Sequence, residues 1–187
     1  MEIDFECLCL SLKKDIDRRN HMEIIFNKMN IPVTFFDGIT PDKITEDIEV
    51  HFKNSDFYEW DINQKSAIAT FISHTKLLEY SISKNKNLLI IEDDLDYTLP
   101  IDFQNINFNN FDLYNIGLNF SCYSYFVSIE GSKKILNELN SKTITQAYDW
   151  ELSKLQTIRK ITSPKPHFIQ IENKFTSNIA PNGYVRY

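Results

Sequence analysis

Glycine is scarce in this chain: only Gly38, Gly117, Gly131 and Gly183 occur in 187 residues. A Walker loop and a GxGxxG turn both need glycines clustered where backbone approaches phosphate, so both are excluded. Cysteine is equally sparse. Cys7, Cys9 and Cys122 form no CxxC pair and are odd in number. Cys7 and Cys9 alternate along an apolar stretch and read as buried thiols, which points to a reducing, cytoplasmic setting. Positive charge is in deficit: 20 Lys+Arg against 26 Asp+Glu give a net charge of −6. Duplex nucleic acid and an anionic membrane surface therefore have no electrostatic case as partners. No apolar run approaches the roughly 20 residues that span a bilayer. The start, Met1-Glu2-Ile3-Asp4-Phe5-Glu6, is acidic where a secretory leader is basic, so no leader is expected.

What is present is a core. Hydrophobic residues make up 42% and aromatics 13%, a globular profile at a length that suits one domain over residues 1–187. Residues 5–12 are mostly apolar and read as a buried strand. Met22, Ile25, Phe26 and Met29 follow at helical spacing, closed by Asn30 and Pro32. A second short strand, 32–36, stops at Asp37-Gly38. Strand, helix, strand predicts a parallel pair with a right-handed crossover. Residues 40–61 read as loop with one helical turn. Residues 62–84 read as the longest helix, with Ile68, Phe71, Ile72, Thr75, Leu78 and Ile82 as its apolar stripe. Leu88–Ile91 is a short, wholly apolar strand of the kind buried on both faces of a parallel sheet. Residues 96–110 read as loop, 111–118 and 123–128 as strands, 131–139 and 145–158 as helices, and 167–171 as a last strand. Strands alternating with helices give an α/β class.

The sharpest chemical feature is Glu92-Asp93-Asp94, directly after that apolar strand. Ligands of open α/β sheets bind at the carboxyl ends of strands. Three adjacent carboxylates there repel one another unless a cation or solvent intervenes. In an extended segment Glu92 and Asp94 face one side and Asp93 the other. Two oxygen donors on one face suit Mg²⁺ or Mn²⁺. The plainer alternative is a solvated acidic turn. A second feature is the polar turn after Leu12 that leads to Arg18-Arg19, a fork suited to a diphosphate or a plain solvated helix start. A third is Ser73-His74 inside the long helix, where a histidine is more often a satisfied core residue than a ligand.

The order of these pieces resembles glycosyltransferase family 25, the lipopolysaccharide-biosynthesis type of sugar transferase. The family's opening "v-INL-x-x-x-x-x-R" is matched by Cys9-Leu10-Ser11-Leu12 running on to Arg18-Arg19, and its "F-x-A/G-(V/I)" by Phe36-Asp37-Gly38-Ile39. Its helical "G-E-I-G-C-x-L-S-H" is matched by Ser66 to His74, with Ser66-Ala67 and Ala69-Thr70 in place of Gly-Glu and Gly-Cys. Its "E-D-D" is Glu92-Asp93-Asp94, and its later "a-Y-x-(I/V)-S-x-x-(G/A)-A-K-x-(L/I)-L" is Ser124 to Leu136. Asp149 and Leu152 match "D-x-x-L", and Pro166, Gln170 and Ser177-Asn178-Ile179 match the tail.

The resemblance implies a GT-A-like, Rossmann-like single domain with a central, mostly parallel sheet flanked by helices. It implies transfer of a hexose, galactose or glucose, from a UDP-sugar (UDP-galactose or UDP-glucose) to a hydroxyl of a glycan or protein acceptor, with inversion. Glu92 and Asp94 would hold Mn²⁺ or Mg²⁺. Ser11, Leu12, Arg18, Asp37, Ser73, His74 and Asp93 would bind the donor. Asp149, beside Trp150, would take the acceptor proton, set against a plain helix-opening charge. His167 is either a further metal ligand or an edge histidine. The replaced helix glycines and a compressed stretch between Asp94 and Tyr125 motivate an alternative, a relative that binds nucleotide sugar or glycan without turnover. A phosphohydrolase would need a second acidic cluster, and none is seen.

Overall fold

In the computed structural model, the described residues are 4–52, 64–118 and 121–171. The first βαβ unit is as expected. Strand β1 (Glu6–Ser11) leads to helix α1 (Ile16–Met29) and back to strand β2 (Thr34–Asp37). Asn30 ends α1 in the left-handed conformation, φ 53°, its amide bonding back to Asn27 and Phe26 carbonyls. A short helix α2 (Glu46–Val50) precedes the long helix α3 (Gln64–Lys84), and strand β3 (Leu88–Glu92) follows. After it come β4 (Leu95–Tyr97), β5 (Leu113–Asn115), β6 (Ser124–Val127), α4 (Ile129–Asn140), α5 (Tyr148–Lys154), β7 (Lys160–Thr162) and β8 (Phe168–Gln170).

Six strands form the central sheet in the order β2-β1-β3-β6-β5-β7. β1 is parallel to both β2 and β3, and β5 is parallel to β7. β6 runs against β3 and β5, so it alone of the six is reversed. β1 and β3 sit at the centre and obey a strict two-residue alternation. Leu8, Leu10, Leu88 and Ile90 enter one core with α3, α4 and α5. Cys7, Cys9, Leu89 and Ile91 enter the other, with Met22, Ile25 and Phe26 of α1. Both faces are covered, which is why the strand 88–91 carries no polar residue.

Four expectations change. β4 lies inside the stretch read as loop, and it pairs with β8 in a separate two-stranded sheet. The last strand therefore leaves the main sheet, and β7 takes the edge position instead. Both strands are three residues long, too short for alternation to show. The helix read over 145–158 shrinks to α5. At its start, Glu151 accepts hydrogen bonds from the Thr145 and Gln146 amides, and at its end Glu138 accepts from the Gln156 and Thr157 amides. These carboxylates satisfy backbone donors outside the helix and fix its length. The buried face of α3 is also rotated: Ser73, His74, Leu77 and Ser81 are buried, whereas Ile72, Thr75 and Ile82 are only half-buried. Residues 62–63 of that reading lie outside the described residues.

Candidate active site

The carboxyl ends of β1, β2 and β3 meet at one edge. Ser11 lies opposite Asp37, and Leu10 opposite Glu92. Alternation holds through Glu92, which falls on the α3 side. There its Oε1 meets His74 Nε2 at 3.0 Å. The strand then stops and Asp93-Asp94 form a turn into β4. The Glu92 charge also acts on the Asp94 carboxyl. The turn ends the alternation, so Asp94 joins Asp93 on the α1 side, where both carboxylates face Arg18.

Asp93 is closely held. Ser11 Oγ donates to its Oδ2 at 2.5 Å, and Arg18 Nη1 to its Oδ1 at 2.7 Å. Burial pushes the Asp93 carboxyl above the ordinary range, while Ser11 and Arg18 pull it down. Asp94 is held through one oxygen only. Gln170 Nε2 donates to its Oδ2 at 3.0 Å, and Arg18 Nη1 lies 3.7 Å from the same oxygen. The Ile171 amide bonds the Asp94 carbonyl at 2.9 Å, so β8 clamps the turn. Asp94 Oδ1 is buried and has no hydrogen-bond partner among the described residues. Burial, then the Glu92 charge, push this carboxyl up to about 6.

Such an oxygen fits a cation. An orphaned carboxylate oxygen in a buried site is costly, and a hard cation relieves both the desolvation and the repulsion. Glu92 stands near enough to raise Asp94, and its Oε2 is uncommitted among the described residues. Among the described residues, no three His, Cys, Asp or Glu side chains group into a complete metal cage. A cation here would draw its remaining ligands from water or substrate.

The other sequence-predicted residues distribute as follows. Arg18 is buried against Asp93 and Asp94 and is their counter-ion; it does not stand open toward a phosphate. Arg19 instead bridges Ser11 and Asp37, with Nη2 at 3.1 Å from the Ser11 carbonyl and 2.5 Å from Asp37 Oδ1. Its guanidinium stacks over Phe35. Leu12 is half-buried and its carbonyl receives the Asp15 amide. Ser73 Oγ accepts from the Ile39 amide at 2.8 Å and donates to the Ala69 carbonyl, tying α3 to the segment after β2. His167 is the edge histidine: its Nδ1 meets the Leu99 carbonyl. Asp149 lies half-buried in the first turn of α5, accepting from the Trp150 amide at 2.9 Å, and Trp150 is 56% exposed. Ser177-Asn178-Ile179 lie outside the described residues.

Sequence reasoning missed two tyrosines. Tyr125 OH is 3.0 Å from His74 Nδ1, and the Tyr148 ring stacks on His74 with centroids 4.5 Å apart and planes 12° apart. The available signal was Tyr125 itself: a hydroxyl within the wholly buried strand Ser124–Val127 needs a buried partner. Gln170 was matched to a tail motif, but its bond to Asp94 depends on the pairing of β8 with β4.

A Haemophilus influenzae protein named "Putative glycosyltransferase" is 27% identical over 168 aligned positions, covering 75% of this chain. The chain spans 60% of that relative's length. A crystal structure of a glycosyltransferase involved in glycosylating the major capsid of PBCV-1 is 10% identical, with a TM-score of 0.48 over 89% of this chain and 92% of the other. The sequence profile of "Glycosyltransferase family 25 (LPS biosynthesis protein)" matches residues 5–112, more than half of the chain, from β1 through the Glu92-Asp93-Asp94 turn, and the chain belongs to that family.

Proposed function

We propose that the chain transfers a hexose from a UDP-sugar, UDP-galactose or UDP-glucose, to a hydroxyl of a glycan or protein acceptor, with inversion, on a GT-A-like domain. The observation that carries this reading is Asp94 Oδ1, a buried and unpartnered carboxylate oxygen at the carboxyl end of the central strand, raised by its Glu92 neighbour. Asp94 and Glu92 would hold Mn²⁺ or Mg²⁺. Such an ion neutralises charge that builds on a departing nucleoside diphosphate.

The chain's own groups supply the rest. Asp93, fixed by Ser11 and Arg18, holds the turn that presents Asp94. Ser11, Leu12 and Asp37, at the adjoining strand ends, would line the donor pocket, and Arg19 orders that rim. Ser73 and His74 would act from α3. Asp149 would take the acceptor proton, with exposed Trp150 beside it to stack on a sugar face. The absence of a three-side-chain cage among the described residues favours a second reading, binding without turnover.

The experiment is release of UDP from each donor with Mn²⁺, comparing the wild-type chain with Asp94→Ala. The transferase reading expects release that falls about 10²–10³-fold in the variant. Saturable donor binding with no release selects the second reading. Neither binding nor release, with every nucleotide sugar tried, sinks both.

A further inference from the structure

Beneath Glu92 lies a chain of three buried side chains, His74, Tyr125 and Tyr148. His74 is 1% exposed and makes two ring hydrogen bonds, Nε2 to Glu92 Oε1 and Nδ1 to Tyr125 OH, each 3.0 Å. Tyr125 OH lies 3.4 Å from Tyr148 OH. With Glu92, the four residues come from β3, α3, β6 and α5, so no local motif links them.

The protons of this chain can be counted. An ionised Glu92 only accepts, so His74 Nε2 carries a hydrogen. If Nδ1 is bare, Tyr125 donates to it at 3.0 Å, and Tyr148 donates to the Tyr125 oxygen. Each of the three hydrogens then has an acceptor. If Nδ1 also carries a hydrogen, Tyr125 must accept it and turn its own hydrogen toward Tyr148 at 3.4 Å. Tyr148 is then left with no acceptor among the described residues. A buried donor without a partner costs about 1–3 kcal/mol. Burial pushes both phenols up, so they stay protonated and able to donate.

We propose that Tyr125 and Tyr148 are positioning residues: a one-way run of hydroxyls, Tyr148 to Tyr125 to His74 Nδ1, fixes His74 as its Nε2–H tautomer and thereby aims the Glu92 carboxylate at the strand-end site. The stacked Tyr148 ring holds the imidazole plane while the hydroxyls set its polarity. Partners of this kind behind a functional carboxylate orient it without touching substrate. The importance of aiming Glu92 rests on the proposed function; the tautomer does not.

The test is ¹⁵N-histidine NMR of the full chain. His74 is assigned with the variants His21→Gln, His51→Gln and His167→Gln. The expected result is a protonated Nε2 and a bare Nδ1. An Nδ1–H tautomer, or an imidazolium with both nitrogens protonated, overturns the inference. Tyr125→Phe is expected to mix the tautomers and to lower the rate of UDP release about 10–100-fold with the donor KM little changed. A variant that keeps both tautomer and rate overturns it as well. A wild type with no transfer but a clean Nε2–H signature sinks the transferase reading and supports the hydroxyl chain.

Discussion

Asp94 and Asp112 are both buried aspartates; Asp94 follows the carboxyl end of β3, and Asp112 precedes the start of β5. Asp112 precedes β5 and is fully satisfied. Lys134 Nζ donates to both oxygens at 3.0 and 3.2 Å, the Arg159 amide donates to Oδ2 at 2.7 Å, and Arg159 Nη2 donates to Oδ1 at 3.3 Å. Burial opposes its charge, but the Arg159 and Lys134 contacts outweigh it and hold the carboxyl below the ordinary range. Asp94 has one filled oxygen, one empty oxygen and a like charge beside it. Asp112 fastens α4 and the start of β7 to the sheet. Asp94 is held in a state that a cation or a proton would relieve. Burial of an acid says little about its role; the number of donors it is given decides between a clasp and a binding group.

This contrast can be broken at the clasp. Asp112→Ala removes the acceptor for the buried Arg159 amide and the shared partner of Lys134 and Arg159, and it should cost about 1–3 kcal/mol in urea unfolding. A loss below about 0.5 kcal/mol, the range of an ordinary surface substitution, would mean the clasp is idle. The wild-type contribution also has a pH sign. Because the folded carboxyl is depressed, its stabilisation is complete above the unfolded value near 3.8 and disappears as pH falls through the lower folded value.

The same corner offers a packing test. A Cβ on Gly131 would lie 2.0 Å from the Asp112 carbonyl oxygen. Gly131→Ala must therefore push the first turn of α4 off β5, at about 2 kcal/mol. An unchanged melting temperature would show that α4 does not seat there.

The smallest expected effect is a gain. Asp94→Asn removes a disfavoured charge and keeps an acceptor for Gln170. The folded Asp94 carboxyl is pushed up to about 6 against 3.8 in the ordinary state, so the contribution of this one group to stability is most favourable below about 4 and declines as pH rises to about 6. Asn should thus stabilise the chain at pH 8 and hardly at all at pH 4, as measured by thermal unfolding at the two pH values. A destabilised variant at pH 8 would contradict the unrelieved charge at Asp94.

Much of this was legible beforehand. The doubly buried strand, the βαβ start, the acidic run at a strand end and the Ser73-His74 pair on the long helix are local patterns, set by alternation, helical spacing and residue order. The pairing of the acids was not legible. Alternation placed Glu92 with Asp94 and Asp93 apart, but it holds only while the strand continues, and the turn at Asp93-Asp94 brings both of those carboxylates to Arg18. The different surroundings of the two arginines were also hidden. Arg18 and Arg19 are neighbours in sequence, yet one is buried against Asp93 and Asp94 and the other bridges Ser11 and Asp37.

The sequence by itself determined the α/β class, the family and the presence of carboxylates at a strand end, because these depend on periodicity and on residues close along the chain. Only the tertiary structure decided which carboxylate oxygen is left without a partner and which tyrosines stand behind His74. Those answers depend on contacts between residues 51 to 82 positions apart, where the deciding quantity is how many donors reach a buried acceptor.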